Sequence, residues 1–140
     1  MFNTSISLDT LNSMSKGNMI EHLGIEFTEI QAGFIKAKMP VDHRTKQPLG
    51  LLHGGASVVL AETLGSVAVV LAVQDPKAET GVGVEINANH LKSARSGFVI
   101  GTCVPLRIGR TIHVYEIKIH DEEENLICAS RLTVAIIPIK

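Results

Sequence analysis

Aromatic residues make up only 4% of this 140-residue chain, and tryptophan is absent. A core of the size one domain needs must therefore be assembled from Val, Ile, Leu and Ala, and burial at interfaces is expected to add to it. Charge of one sign is lacking too. Thirteen basic and 14 acidic residues leave a net charge of −1, which excludes a global attraction for nucleic acid or an anionic membrane, so an anionic ligand has to be held by local groups. Cysteine is scarce: Cys103 and Cys128 stand singly on apolar, strand-like runs. They lack the spacing of a zinc site or a thiol redox motif and read as buried free thiols rather than as a disulfide. Six histidines are scattered without metal-ligand spacing, so no metal is expected. Gly81-Val82-Gly83 does not extend to a dinucleotide fingerprint, and no GKS or GKT phosphate loop occurs. The segment Met1 to Leu8 shows no basic region leading into an apolar run, which predicts no secretory signal and a cytoplasmic protein.

What the chain does have is one long apolar stretch, Leu52 to Val73, with a single carboxylate, Glu62, in its middle. A helix without a polar face is wrapped by protein on every side or lies in a membrane, and an ionised carboxylate there is costly unless paired, solvated or functional. About 20 apolar residues cross a bilayer, so length alone permits a span. Composition argues against one. His53, Ser57, Glu62, Thr63 and Ser66 interrupt the run, only Val67 to Val73 is free of polar side chains, and neither flank carries an aromatic belt or a cluster of cations. The helix is assigned to the interior of a soluble domain.

Around it, the pattern predicts a single domain over residues 1–140. Leu8, Leu11, Met14, Met19 and Ile20 recur at helical spacing between Ser7 and His22, broken at Lys16-Gly17 and ended at Gly24, which predicts two short helices with Ser7 or Asp9 as a cap. Ile25 to Ile30 and Phe34 to Met39 read as a hairpin turning at Ala32-Gly33, with Ile35, Ala37 and Met39 on one face and Lys36 and Lys38 on the other. Pro40 to Gly50 is a polar loop of functional length. Four more strands are expected near Thr80 to His90, Gly97 to Arg107, Thr111 to Asp121 and Leu126 to Ile137; in the third of these Tyr115, Ile117 and Ile119 alternate with Glu116, Lys118 and His120. The acidic run Asp121 to Glu124 is a solvated turn. This order implies an α+β domain in which a strongly curved antiparallel sheet wraps one long helix. One sheet covers one side only, so a homodimer is expected, with a dimer of dimers, a homotetramer, as the larger form.

The helix also carries the candidate chemistry. Gly54 and Gly55 fall where it begins, and glycine there lets a carbonyl approach backbone N–H groups at the positive end of the helix dipole, an oxyanion hole by construction. His53 reads equally as a capping histidine or as a donor. Glu62 reads as a buried structural carboxylate paired with a histidine or a serine hydroxyl, or as a nucleophile or general base. Glu62 lies eight residues beyond Gly54, about 12 Å along a helix axis, so one small carbonyl cannot meet both within one subunit. If both act on it, two helices lie side by side and antiparallel, and each of two sites is shared between subunits.

The segments Gln47-Pro48-Leu49-Gly50-Leu51-Leu52-His53-Gly54-Gly55, Ala61-Glu62-Thr63, Gly65-Ser66 and Glu85-Ile86-Asn87-Ala88-Asn89-His90 resemble the hotdog-fold acyl-CoA thioesterases of the Glu-dependent branch. Within it the chain is similar to the bacterial 1,4-dihydroxy-2-naphthoyl-CoA thioesterases of menaquinone synthesis and related aryl-CoA thioesterases, from about Leu11 to Ala135. The resemblance implies the hotdog fold, a shared dimeric site and no cofactor beyond the CoA of the substrate. It implies catalytic roles for Glu62, Gly54, His53 and Gln47, with Ser66, one turn beyond Glu62, positioning water or simply packing. It implies contacts to substrate from Gly83, from His90, Lys92, Ser93 and Arg95, and from the turn Arg107, Gly109, Arg110 and Thr111; a solvated basic loop is the alternative for these. Lys92, where relatives often carry Arg, keeps the charge and loses bidentate geometry. Leu64, Val67 and Val70 are expected to line the acyl pocket. A hotdog dehydratase and an acyl-CoA-binding sensor are the competing functions.

Overall fold

A computed structural model describes all 140 residues, Met1–Lys140. The elements follow the expected order: α1 (Leu8–Ser13), α2 (Met19–His22), β1 (Glu26–Ile30), β2 (Ile35–Pro40), α3 (Gly54–Ala72), β3 (Glu79–His90), β4 (Phe98–Ile108), β5 (Ile112–Asp121) and β6 (Leu126–Pro138). The six strands form one antiparallel sheet in the order β1-β2-β4-β5-β6-β3. Helix α3 packs on it, touching β2 through β6. The long β3 is an edge strand with β6 on one side and no strand on the other.

The alternations hold. Ile35, Ala37 and Met39 of β2 and Tyr115, Ile117 and Ile119 of β5 are fully buried, all in one core of 26 residues. Cys103 and Cys128 are buried free thiols, and burial pushes the Cys103 thiol well above its usual range. Ser7 caps α1, its hydroxyl accepting the Thr10 N–H at 3.1 Å. Gly24 stops α2 with φ of +73°, and Gly17, in the turn between the two helices, has φ of +77°; a side chain at either would be strained.

Three expectations are corrected. Met14 and Met19, read as part of an apolar helical face, are 49% and 63% exposed; the helices are too short to bury more than Leu11 with the partial burial of Leu8 and Ile20. Helix α3 starts at Gly54, because Leu52 bridges Lys46 across the preceding loop and His53 takes an extended conformation as cap. Leu64 and Val67 are 0% and 8% exposed and face the sheet, so of the three residues expected to line an acyl pocket only Val70 remains half-open.

Helix α3 satisfies the length and composition of a membrane span, yet it is the core helix of the domain. Close approach explains how the sheet holds it. A Cβ at Gly65 would collide with the Leu132 side chain, and one at Gly101 would lie 2.5 Å from Leu64 Cδ1, so the two glycines let helix and sheet interlock.

Candidate active site

The loop before α3 is built from its own polar groups. Asp42 accepts from the Arg44 backbone and guanidinium, Thr45 Oγ1 donates to the Pro40 carbonyl at 2.7 Å, and the His53 N–H donates to the Thr45 carbonyl at 2.8 Å. Gln47 Oε1 accepts from the Leu49 and Leu51 N–H groups. That fixes the amide so that its NH2 is the free end.

At the helix start, the His53 carbonyl accepts from the Ala56 and Ser57 N–H groups at 3.0 and 3.3 Å. Its Nδ1 accepts from the Gly55 N–H at 2.8 Å. His53 is therefore the N-cap, and accepting at Nδ1 puts the neutral ring's proton on Nε2. Of the two N–H groups expected to receive a carbonyl, Gly55's is occupied, and only Gly54's makes no hydrogen bond within the chain. That N–H stands at the positive end of a 19-residue helix.

Gln47, Gly54, Ser57, His90, Lys92 and Ser93, with four apolar residues, enclose a cavity of about 360 Å³ at this end of the helix. His90 lies closest: a Cβ on Gly54 would sit 2.8 Å from His90 Nε2, so the glycine lets the imidazole lie against the backbone, and a side chain there would push the exposed ring away. In the sequence Ser57 stands only as a polar interruption of the apolar run, because a lone serine in such a helix reads as packing; its one signal as a site residue is its place one turn beyond Gly54. Arg95 is exposed and outside the cavity.

Arg107, Gly109, Arg110 and Thr111 lie elsewhere. Gly109 and Arg110 border a second cavity, of about 510 Å³, beside Ala72 and Val73 at the C-terminal end of α3. A 19-residue helix is about 28 Å long, so the two groups expected to hold substrate are not brought together within one chain. His113, itself buried, also lines this second cavity, and its Nδ1 is 2.8 Å from the Tyr115 hydroxyl. Burial lowers the His113 pKa, against a hydrogen bond to the Gly109 backbone and the charge of Glu79.

Glu62 is not part of the Gly54 cavity either. Its carboxylate is half-buried and takes part in no ion pair of the chain. It leans on β3, where its Oε1 would be 2.9 Å from a Cβ built on Gly83. Around it, Val59, Glu62, Thr63, Ser66 and Val70 form a stripe along α3 that the chain's own sheet leaves open. Within one molecule the free Gly54 N–H and the Glu62 carboxylate therefore do not line the same cavity.

A family model described as the thioesterase superfamily matches residues 49–128, a stretch holding Gly54, Glu62, His90 and the β4–β5 turn. The chain belongs to the thioesterase superfamily. Among curated relatives, this thioesterase is 54% identical over 132 residues to a 1,4-dihydroxy-2-naphthoyl-CoA hydrolase of Escherichia coli, covering 94% of this chain and 96% of the relative. It is 48% identical over 131 residues to the proofreading thioesterase EntH of Cronobacter turicensis, covering 94% of each. A solved thioesterase of Haemophilus influenzae superposes with a TM-score of 0.94 at 46% identity, over 98% of this chain and 94% of that one. The thioesterase has the α+β hotdog architecture and is a thioester hydrolase of the acyl-CoA class.

Proposed function

We propose that this thioesterase hydrolyses aryl- or medium-chain acyl-CoA thioesters to the free acid and CoA, in sites shared between two subunits. The observation that carries this reading is the division of labour along α3: an unpartnered N–H at Gly54 and a carboxylate eight residues further on the open face. The Gly54 N–H and the Gln47 amide are placed to receive the thioester oxygen as it gains charge. His53, as cap, orders this end and offers its Nε2–H at the mouth, and His90 closes over Gly54. Glu62 acts on the thioester carbon, either by attack that gives a mixed anhydride and CoA thiolate or by taking a proton from water. Ser66, one turn on, positions that water. No metal or cofactor is needed for this chemistry.

The dimer follows from what the single chain leaves uncovered. Val82 and Val84 on the free-edged β3 are 46% and 58% exposed, and a long apolar edge strand invites pairing with another chain. Two copies joined along β3 lay their α3 helices antiparallel, so that Gly54 of one faces Glu62 of the other. The same symmetry carries the Arg107–Thr111 turn of one copy toward the Gly54 end of its partner. There Lys92, Arg95, Arg107 and Arg110 supply local charge, and Ser93 a hydroxyl, for the CoA phosphates in a chain without net positive charge. A dimer of dimers is the larger assembly to test by sedimentation.

Similarity to the Escherichia coli hydrolase makes 1,4-dihydroxy-2-naphthoyl-CoA, and hence menaquinone synthesis, the first substrate and role to examine. Free buried thiols fit a reducing compartment, and the cytoplasm is our assignment. Incubation with benzoyl-CoA and a thiol reagent tests the activity directly: free CoA is expected, whereas a sensor or a dehydratase leaves the thioester intact and releases none. A panel of aryl- and alkyl-CoA esters ranked by kcat/KM then fixes the acyl class, with the aryl members expected at the top.

A further inference from the structure

Gly81 and Gly83 lie two residues apart on β3 and so share the face turned to α3, but their missing side chains make room for different things. At Gly81 a Cβ would meet Val134 Cγ1 at 2.7 Å and Val69 Cγ2 at 2.9 Å, which is apolar helix–sheet packing. At Gly83 the group in the way is the Glu62 carboxylate, with Oε1 at 2.9 Å and Cδ at 4.0 Å; the nearest other atom, Leu132 Cδ1, is at an ordinary 3.8 Å. Gly83 has no positive φ, so backbone conformation does not demand glycine there. A bulge follows at once, where the pairing of β3 with β6 shifts register between Gly83 and Glu85, and bulges re-aim a strand locally.

We infer that Gly83 is a positioning residue for Glu62: the recess it leaves in β3 seats the carboxylate at the height on the open face of α3 where the thioester carbon arrives. The inference rests on Glu62 as the reacting group and deepens it. It also gives Gly83 a task other than direct contact with substrate. No ion pair fixes the carboxylate, so its place depends on its own rotamer and on the space β3 leaves it. A methyl group in the recess displaces the carboxylate by a fraction of an ångström to an ångström, and misplacement on that scale costs roughly 10- to 100-fold in rate.

The test is a double-mutant cycle. Gly83→Ala is expected to lower kcat about 10- to 100-fold with KM changed less than about threefold. Combined with Glu62→Asp, whose shorter chain withdraws the carboxylate from the added methyl, Gly83→Ala is expected to cost less than about threefold further. Gly81→Ala serves as the control on the same face and is expected to lower the melting temperature without this dependence on residue 62. An equal loss in the wild-type and Glu62→Asp backgrounds, a rise in KM alone, or wild-type turnover overturns the role of Gly83. If Gly83→Ala does not fold, the Glu62→Ala/Gly83→Ala chain decides: recovered folding assigns the clash to the carboxylate, and continued misfolding overturns the inference. Turnover that survives Glu62→Ala removes the catalytic reading itself, an outcome separate from any behaviour of Gly83.

Discussion

The two faces of α3 differ in composition and have opposite fates. Toward the sheet, Leu60, Leu64, Ala68 and Leu71 are buried by the chain itself, and glycines on both sides let the layers interlock. Away from it, Val59, Glu62, Thr63, Ser66 and Val70 stay partly or wholly open. A helix that is apolar all round usually signals burial on all sides. Here the chain supplies half of that burial, and the other half, with the carboxylate in its middle, is the surface from which the proposed site is made. If the proposed site is correct, stability resides on one face and chemistry on the other, so substitutions on the two should part cleanly.

The largest effect is expected on the open face. Glu62→Gln should lower kcat by about three orders of magnitude, the usual range for a lost base or nucleophile, with KM and melting temperature little changed; steady-state kinetics and a thermal scan check both. Turnover above about a tenth of wild type removes Glu62 from the mechanism. On the buried face, Leu64→Ala should cost about 2–5 kcal/mol in urea unfolding and leave the kcat of the folded fraction near wild type. A loss of kcat as large as that of Glu62→Gln would abolish the distinction between the faces. Next in size, Val82→Lys with Val84→Lys puts charge on the free edge of β3, and activity should become dependent on protein concentration as sedimentation shows dissociation.

The smallest effect belongs to the loop that carries Gln47. Hydrogen bonds from the Arg44 side chain, and secondarily its backbone, hold the Asp42 carboxyl down from 3.8 to about 2. Because the folded pKa lies below the unfolded one, the stabilisation is complete above the unfolded value and is lost as pH falls through the folded one. Asp42 is 35% exposed, and screening by solvent keeps the contribution under about 1 kcal/mol. Arg44→Ala should remove the larger, side-chain part of it while the backbone N–H of residue 44 keeps the rest, visible as a flatter stability profile between about pH 4 and 2 in acid titration.

Periodicity made most of the fold legible, because the strands are long enough for alternation to repeat and each turn carries its own marker, as Gly24 and Gly97 do with positive φ. It failed where elements are short: with only six and four residues in α1 and α2, helical spacing did not decide that Met14 and Met19 stay outside. It failed again inside α3, where apolar residues occur on both faces and spacing alone did not tell Leu64 and Val67 from Val70. At the candidate site the spacing of Gly54 and Glu62 already separated the two groups. Hidden from sequence were the lean of His90 on Gly54 and the recess at Gly83. Each depends on contacts between residues that spacing along one element does not relate.

The shared site is tested most directly by mixing subunits. A Glu62→Ala chain and a Gly54→Leu chain, the second carrying its bulk against His90, should each form inactive homodimers. A heterodimer of the two contains one site with an intact Glu62 from one subunit and an intact Gly54 from the other. After subunit exchange, activity should return to roughly half the wild-type value per heterodimer. Verified heterodimers that stay as inactive as both folded, dimeric parents would contradict it.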